Sequence, residues 1–276
     1  MREFLRTFIS RPAGMVGLLL LTLVCLLAIV APLLFPASPW DIAGAPFSRP
    51  GEGGMLLGSD TLGRDIAAGI AHGARVSILI GLASTLTALF IGVTLGCVAG
   101  YAGGVVDGAI VRFTEIFQTI PSFVLAILFV AILTPSIWTI ILAIGLVSWP
   151  PLSRLTRAQV MTVSQREFVQ AARCQGQSTL SIVLRHVLPN AVSPIIVAGS
   201  LTVAAAILIE AALSFMGLGD PNFMSWGYMV GAGRTVIRQA WWMSVFPGIA
   251  ILLTVVAINL VGEALNDTLN PRISRA

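Results

Sequence analysis

The chain has 276 residues, 57% hydrophobic and only 10% charged, with a net charge of +4 and a mean hydropathy of +0.94. Ordinary soluble domains carry roughly 25% charged residues, so this chain cannot cover a water-facing surface and lipid must be its main solvent. Every basic residue is an arginine and the arginines are spread along the chain, which excludes a nucleic-acid patch and points to membrane loops of unequal charge.

A membrane span needs about 20 predominantly apolar residues. The first run, 13–35, meets that need and is too long for the ~7–15-residue core of a signal peptide. It is followed by Pro36 and Pro39 rather than a small-residue cleavage site, so it reads as a retained span. The Gly- and Pro-rich stretch 36–73 is a loop. The second span is 76–99, and Gly81, Gly92 and Gly96 recur in it at spacings that let another helix approach closely. A turn follows at Gly103-Gly104.

The stretch 108–149 reads as one long helix or two. Charge decides between them. The segment 152–185 carries five arginines against Glu167, and the N-terminus carries Arg2, Arg6 and Arg11 against Glu3. Both are therefore cytoplasmic, an even number of spans separates them, and the stretch is two spans, 108–133 and 136–150, the second closed by Pro150-Pro151. The fifth and sixth spans are 194–215 and 245–264. The expectation is an all-α, six-span membrane protein, a single domain over 1–276, with both ends in the cytoplasm. Ten loop arginines then lie inside, and five, including Arg75, lie outside.

The segment 152–190 lies between spans yet has helical periodicity. Phe168, Ala171, Ala172 and Gln175 fall on one face, Gly176 breaks the helix, and a second helix carries Leu180, Val183, Leu184 and Val187. Leu188-Pro189 is expected to end it and turn the chain back to the bilayer. A short small-residue helix of this kind docks into a partner's groove or rests on lipid headgroups, and physics alone leaves both open.

Gln170-Ala171-Ala172, Gly176 and Leu188-Pro189 resemble the coupling motif of bacterial ATP-driven importer permeases, written E-A-A, three residues, G, nine residues, I, one residue, L-P. Gln170 stands for the Glu and His186 for the Ile. Glu167 three positions earlier, and His186 followed by Leu188-Pro189-Asn190, are similar to the peptide branch of that family. Gly58, Asp60, Gly63, Arg64 and Asp65 resemble the first outer-loop signature of the second permease subunit of dipeptide, oligopeptide and nickel importers. Glu210–Gly219, Ser225-Trp226-Gly227, Trp241-Trp242, Phe246-Pro247-Gly248 and Asn270-Pro271-Arg272 resemble it too.

The resemblance implies an alternating-access permease for short peptides, paired with a homologous permease and served by an extracytoplasmic binding protein. Two partner ATPases would bind the ATP and dock on the coupling segment. This chain would hold no cofactor and catalyse nothing; it carries no Walker-type phosphate loop. A permease for nickel, a metal chelate or glutathione is the alternative within the family. A secondary transporter would show inverted repeats, and an intramembrane hydrolase would place its histidine within a span; neither pattern is found.

His72 and His186 fall on opposite membrane sides and cannot share a metal. Cys25, Cys97 and Cys174 have no metal or disulfide spacing. Glu115, Glu210 and Glu263 lie in or near spans. Glu210 and Glu263 are expected near helix ends, where water or a loop arginine is in reach. Asp60, Arg64 and Asp65 either gate the outer mouth or tie the loop together.

Overall fold

The computed structural model describes residue 8 and residues 11–269. Among them the regular elements are helices: α1 (Pro12–Leu34), α2 (Ile66–Ala102), α3 (Gly104–Thr119), α4 (Ser122–Ile132), α5 (Ile137–Ser164), α6 (Glu167–Cys174), α7 (Thr179–Ile182), α8 (Leu188–Phe215), α9 (Trp226–Gly233) and α10 (Trp242–Leu269). A π-helical turn, Val183–Val187, joins α7 to α8. Five continuous helical stretches are long and apolar enough to cross a membrane, and the bent pair α3–α4 makes a sixth. Large apolar side chains such as Leu19, Ile29 and Leu33 of α1 stand exposed, as lipid-facing residues must. Arg2, Arg6, Arg272 and Arg275 lie outside the described residues.

The central contact is α2 against α5. Gly92, Gly96 and Gly100 recur every four residues along α2 and lie on one face. A Cβ on Gly92 would stand 2.8 Å from the Leu152 Cβ, one on Gly96 2.6 Å from the Ser153 carbonyl oxygen, and one on Gly100 2.7 Å from that of Arg157. Only hydrogen fits, and the two backbones close on each other. Gly145 of α5 returns the favour against Thr87, and Gly81 of α2 admits Ile207 of α8 at 2.7 Å. The expected role of Gly81, Gly92 and Gly96 is met, and Gly100 extends the row.

This contact explains the first departure from expectation. Pro150-Pro151 was expected to close the fourth span, yet α5 runs through both to Ser164. Two prolines remove two helical hydrogen bonds. Here α2 holds the helix on either side of the break, with Trp149 and Leu152 buried against it. The third span departs too: it is broken between Thr119 and Ser122, and α3 and α4 meet at a bend of 81°.

Arg75, expected in the outer loop, lies within α2. Its Nε donates to the Ala28 carbonyl at 2.6 Å. Ala28 is four residues before Pro32, whose missing N–H leaves that carbonyl without its helical donor. One turn earlier in α2, His72 Nε2 pairs with the Phe35 carbonyl at 3.0 Å. The close of α1 is thus bound to the start of α2, and the two run antiparallel. At the other end of α1, Arg11 pairs with Asp267 of α10 at 3.4 Å. There Gly17 admits Leu260.

Gly96→Val should drive a methyl into the Ser153 backbone, where overpacking typically costs about 1–3 kcal/mol. The thermal midpoint of the purified protein should fall by several degrees, whereas Gly108→Ala, which meets nothing within 4 Å, should leave it near wild type. Equal midpoints would refute the close contact.

Candidate functional site

The coupling segment hangs from the end of α5. Val163, Val169, Ala172, Ile182, Val187 and Ala191 form one buried cluster with Val160. The inward face of α6 is therefore Val169 and Ala172. Phe168, Ala171 and Gln175 are exposed. The sequence reading grouped Ala172 with them, but a position three residues after Val169 shares its side of the helix and is claimed by the chain's own core. Arg173 turns back on the chain: its Nε donates to the Tyr101 hydroxyl at 3.3 Å and its guanidinium lies 4.9 Å from that ring's centroid.

Gly176 ends α6 at φ +74°. Its N–H donates to the Arg173 carbonyl at 3.0 Å, and that of Gln177 to the Ala172 carbonyl at 3.3 Å. This paired pattern closes a helix through a left-handed residue. Gln170 has a local use as well. Its Nε2 donates to the Ser164 carbonyl at 3.2 Å, capping the end of α5. A Glu at this position has no N–H to give.

Leu188-Pro189 does not end the helix. The π turn carries it through: the Leu188 N–H reaches back to the Val183 carbonyl. Asn190 Nδ2 donates to the His186 carbonyl at 2.7 Å. One extra residue in the turn re-registers the ladder before proline interrupts it. His186 pairs with Gln177 Oε1 at 3.0 Å and so ties the start of α8 to the turn after α6. Glu167 lies in the first turn of α6, and Leu188 and Pro189 open α8.

The outer-loop residues are drawn into one turn. Asp60 Oδ1 accepts from the Leu62 and Arg64 amides at 2.8 and 2.9 Å. Arg64 Nε lies 3.9 Å from Asp60 Oδ2, and its guanidinium lies 4.8 Å from the Trp40 ring centroid. Asp65 caps α2 by accepting from the Ala67 amide at 2.8 Å. Gly58 and Gly63 both have positive φ, and a Cβ on Gly63 would collide with the Gly44 carbonyl. Trp242 Nε1 donates to the Ser59 carbonyl at 3.1 Å, fastening the loop to α10. Beside it, Trp226 Nε1 donates to the Ile70 carbonyl at 2.9 Å.

Glu210 departs from the reading that placed it near water or an arginine. It is 1% exposed, and its Oε1 accepts from Ser214 at 2.8 Å and Ser225 at 2.6 Å. The Ser225 hydroxyl also caps α9. Glu210 therefore joins α8 to the loop before α9, a link between residues fifteen apart that periodicity does not reveal. Glu115 and Glu263 are exposed. Among the described residues no three of His, Cys, Asp and Glu converge.

Sequence comparison matches residues 92–275 to the binding-protein-dependent transport system inner membrane component family. The chain belongs to this family. Residues 1–49 of this permease match the N-terminal transmembrane domain of oligopeptide transport permease C. The di/tripeptide transport system permease protein DppC of Pseudomonas aeruginosa is 40% identical, covering 100% of this chain and 93% of that protein. The dipeptide transport system permease protein DppC of Bacillus subtilis is 36% identical over 95% of this chain and 82% of its own length. Among solved structures, a chain of the MetNI methionine ABC transporter superposes with a TM-score of 0.60 at 16% identity, covering 73% of this chain and 96% of that one. The permease thus has the fold of an importer membrane subunit.

Gly63→Ala should loosen the outer loop, since the methyl meets the Gly44 carbonyl and φ +82° is strained for alanine. Cleavage after Glu52 by endoproteinase GluC should rise about tenfold as local opening becomes easier. An unchanged rate would mean that the turn does not brace the loop.

Proposed function

We propose that this chain is one of two membrane subunits of an ATP-driven importer that carries short peptides inward across the cytoplasmic membrane by alternating access. The observation that carries the coupling half of this reading is the geometry of α6. Its inner face is locked into the permease by Val169 and Ala172, while Phe168, Ala171 and Gln175 are left exposed with Glu167 beside them. A short helix fixed to the end of a long one transmits a push as a rigid body, which a helix lying loosely on headgroups cannot do. The docking partner is an ATPase subunit that binds and hydrolyses ATP, two per transporter. A homologous permease completes the pathway, and an extracytoplasmic binding protein delivers substrate.

Peptides as cargo are supported by the names of relatives 36–40% identical over 95% or more of the chain. In this reading Gly176, Gln170, Leu188 and Pro189 shape the docking segment rather than touch the ATPase. The turn at Gly58–Asp65 braces the outer mouth. The segment with α6 faces the cytoplasm, as the arginine asymmetry requires.

Two measurements test this. Phe168→Asp on the exposed face should cut recovery of the ATPase with tagged permease about tenfold while the thermal midpoint stays at wild type. Ala172→Asp instead buries a charge within the chain and should lower the midpoint itself. Normal ATPase recovery and uptake in Phe168→Asp would end the docking role. For orientation, the exposed Cys174 should react with a membrane-impermeant maleimide in inside-out vesicles and stay unlabelled in intact spheroplasts; the opposite pattern would invert the topology.

A further inference from the structure

A cavity of about 470 Å3 lies where the bend between α3 and α4 faces the proline pair of α5 and the middle of α8. One wall is the bend between α3 and α4, with Gln118, Ile120 and Ser122. Another is Val147, Ser148 and the Pro150-Pro151 pair. The third is α8 at Leu201 and Thr202. Pro150-Pro151 is the midpoint of α5, and Leu201-Thr202 the midpoint of α8. The cavity therefore lies midway along both helices, where an irregular backbone in a membrane protein is tolerated only if it is covered by protein or faces water.

The chemistry of the lining is specific. No charged side chain belongs to it. Pro150 and Pro151 have no N–H, so the carbonyls of Leu146 and Val147 lose their helical donors, and Val147 is itself part of the wall. The side chains of Gln118, Ser122 and Ser148 make no hydrogen bond to other described residues. Thr202 spends its hydroxyl proton on the Ala198 carbonyl at 2.8 Å and keeps acceptor capacity. Freed carbonyls, hydroxyls and one amide, with no fixed charge, match the alternating N–H and C=O groups of a peptide main chain. They offer nothing selective to a side chain and no anionic or imidazole ligand to a metal. The volume falls in the range of small-molecule sites, about 300–1,000 Å3.

We propose that this cavity is a subsite for the backbone of the translocated peptide, held there by the Val147 carbonyl and the Gln118, Ser122 and Ser148 side chains. The proposal rests on the peptide-import reading and adds to it the place and the groups of contact. A peptide held by its backbone is accepted whatever its side chains, and the absence of charge keeps the hold weak enough for release.

The test uses the complete transporter, with both permeases, ATPases and binding protein, reconstituted in proteoliposomes. Cys25, Cys97 and Cys174 are replaced by serine, and Ser148→Cys is added. Labelling of that thiol by a small methanethiosulfonate reagent should slow about threefold during turnover with trialanine. Ala205→Trp, whose position lines the same cavity, should reduce trialanine uptake about tenfold by filling it, with ATPase recovery unchanged. Labelling indifferent to trialanine, with uptake intact in Ala205→Trp, would overturn the subsite while leaving peptide import standing. Wild-type uptake of a nickel–histidine chelate and not of trialanine would overturn the peptide reading itself, and with it the proposed occupant.

Discussion

The close pass of α2 and α5 is the constraint on which the rest depends. In lipid there is little hydrophobic gain in bringing two apolar helices together, so contact must come from packing that larger side chains forbid. Gly92, Gly96 and Gly100 supply it on one helix and Gly145 on the other. With that pair fixed, α8 leans on α2 at Gly81, Trp226 anchors to the first turns of α2, and α6 extends from the end of α5. The helix that carries two prolines at its midpoint keeps its course because its neighbour spans the weak point.

A second rule runs through the chain. Each proline within a helix leaves a carbonyl that no water in a bilayer core can satisfy. Three solutions appear. Arg75 reaches across to the carbonyl that Pro32 releases. A π turn and the Asn190 side chain re-register the ladder around Pro189. The pair Pro150-Pro151 instead lies in the wall of a cavity, with Val147 beside it. The same chemical deficit thus serves as a tether, as a joint and as part of a surface for cargo.

The legible parts of the sequence were those written in local pattern. Apolar runs together with the arginine asymmetry set the number of spans, the glycine spacing announced the close contact, and Gly176 marked the end of α6. The positions that misled are those where tertiary support overrides local grammar. Pro150-Pro151 and Leu188-Pro189 carry a stop signal that neighbouring helices and a π turn cancel. Ala172 belongs to the chain's own core because Val163, Ile182 and Ala191 close over it, and none of these is near it in the helical repeat. Glu210 finds Ser225 only once α9 folds back on α8. The bend at Ile120-Pro121 falls inside the stretch 108–133, where one proline weighs little beside the strongly apolar run that follows it.

The Arg75 bond to Ala28 bears on how the protein enters its membrane. Alone in lipid, α1 would carry an unmet carbonyl at Ala28, and α2 would carry a bare guanidinium; each is costly there. Joined, the two deficits cancel. The 31 residues between Leu34 and Ile66 are long enough to let the second helix fold back on the first, so insertion as a hairpin is favoured over stepwise entry of single helices. The first two helices are then one unit of assembly, complete before the glycine row of α2 meets its partner.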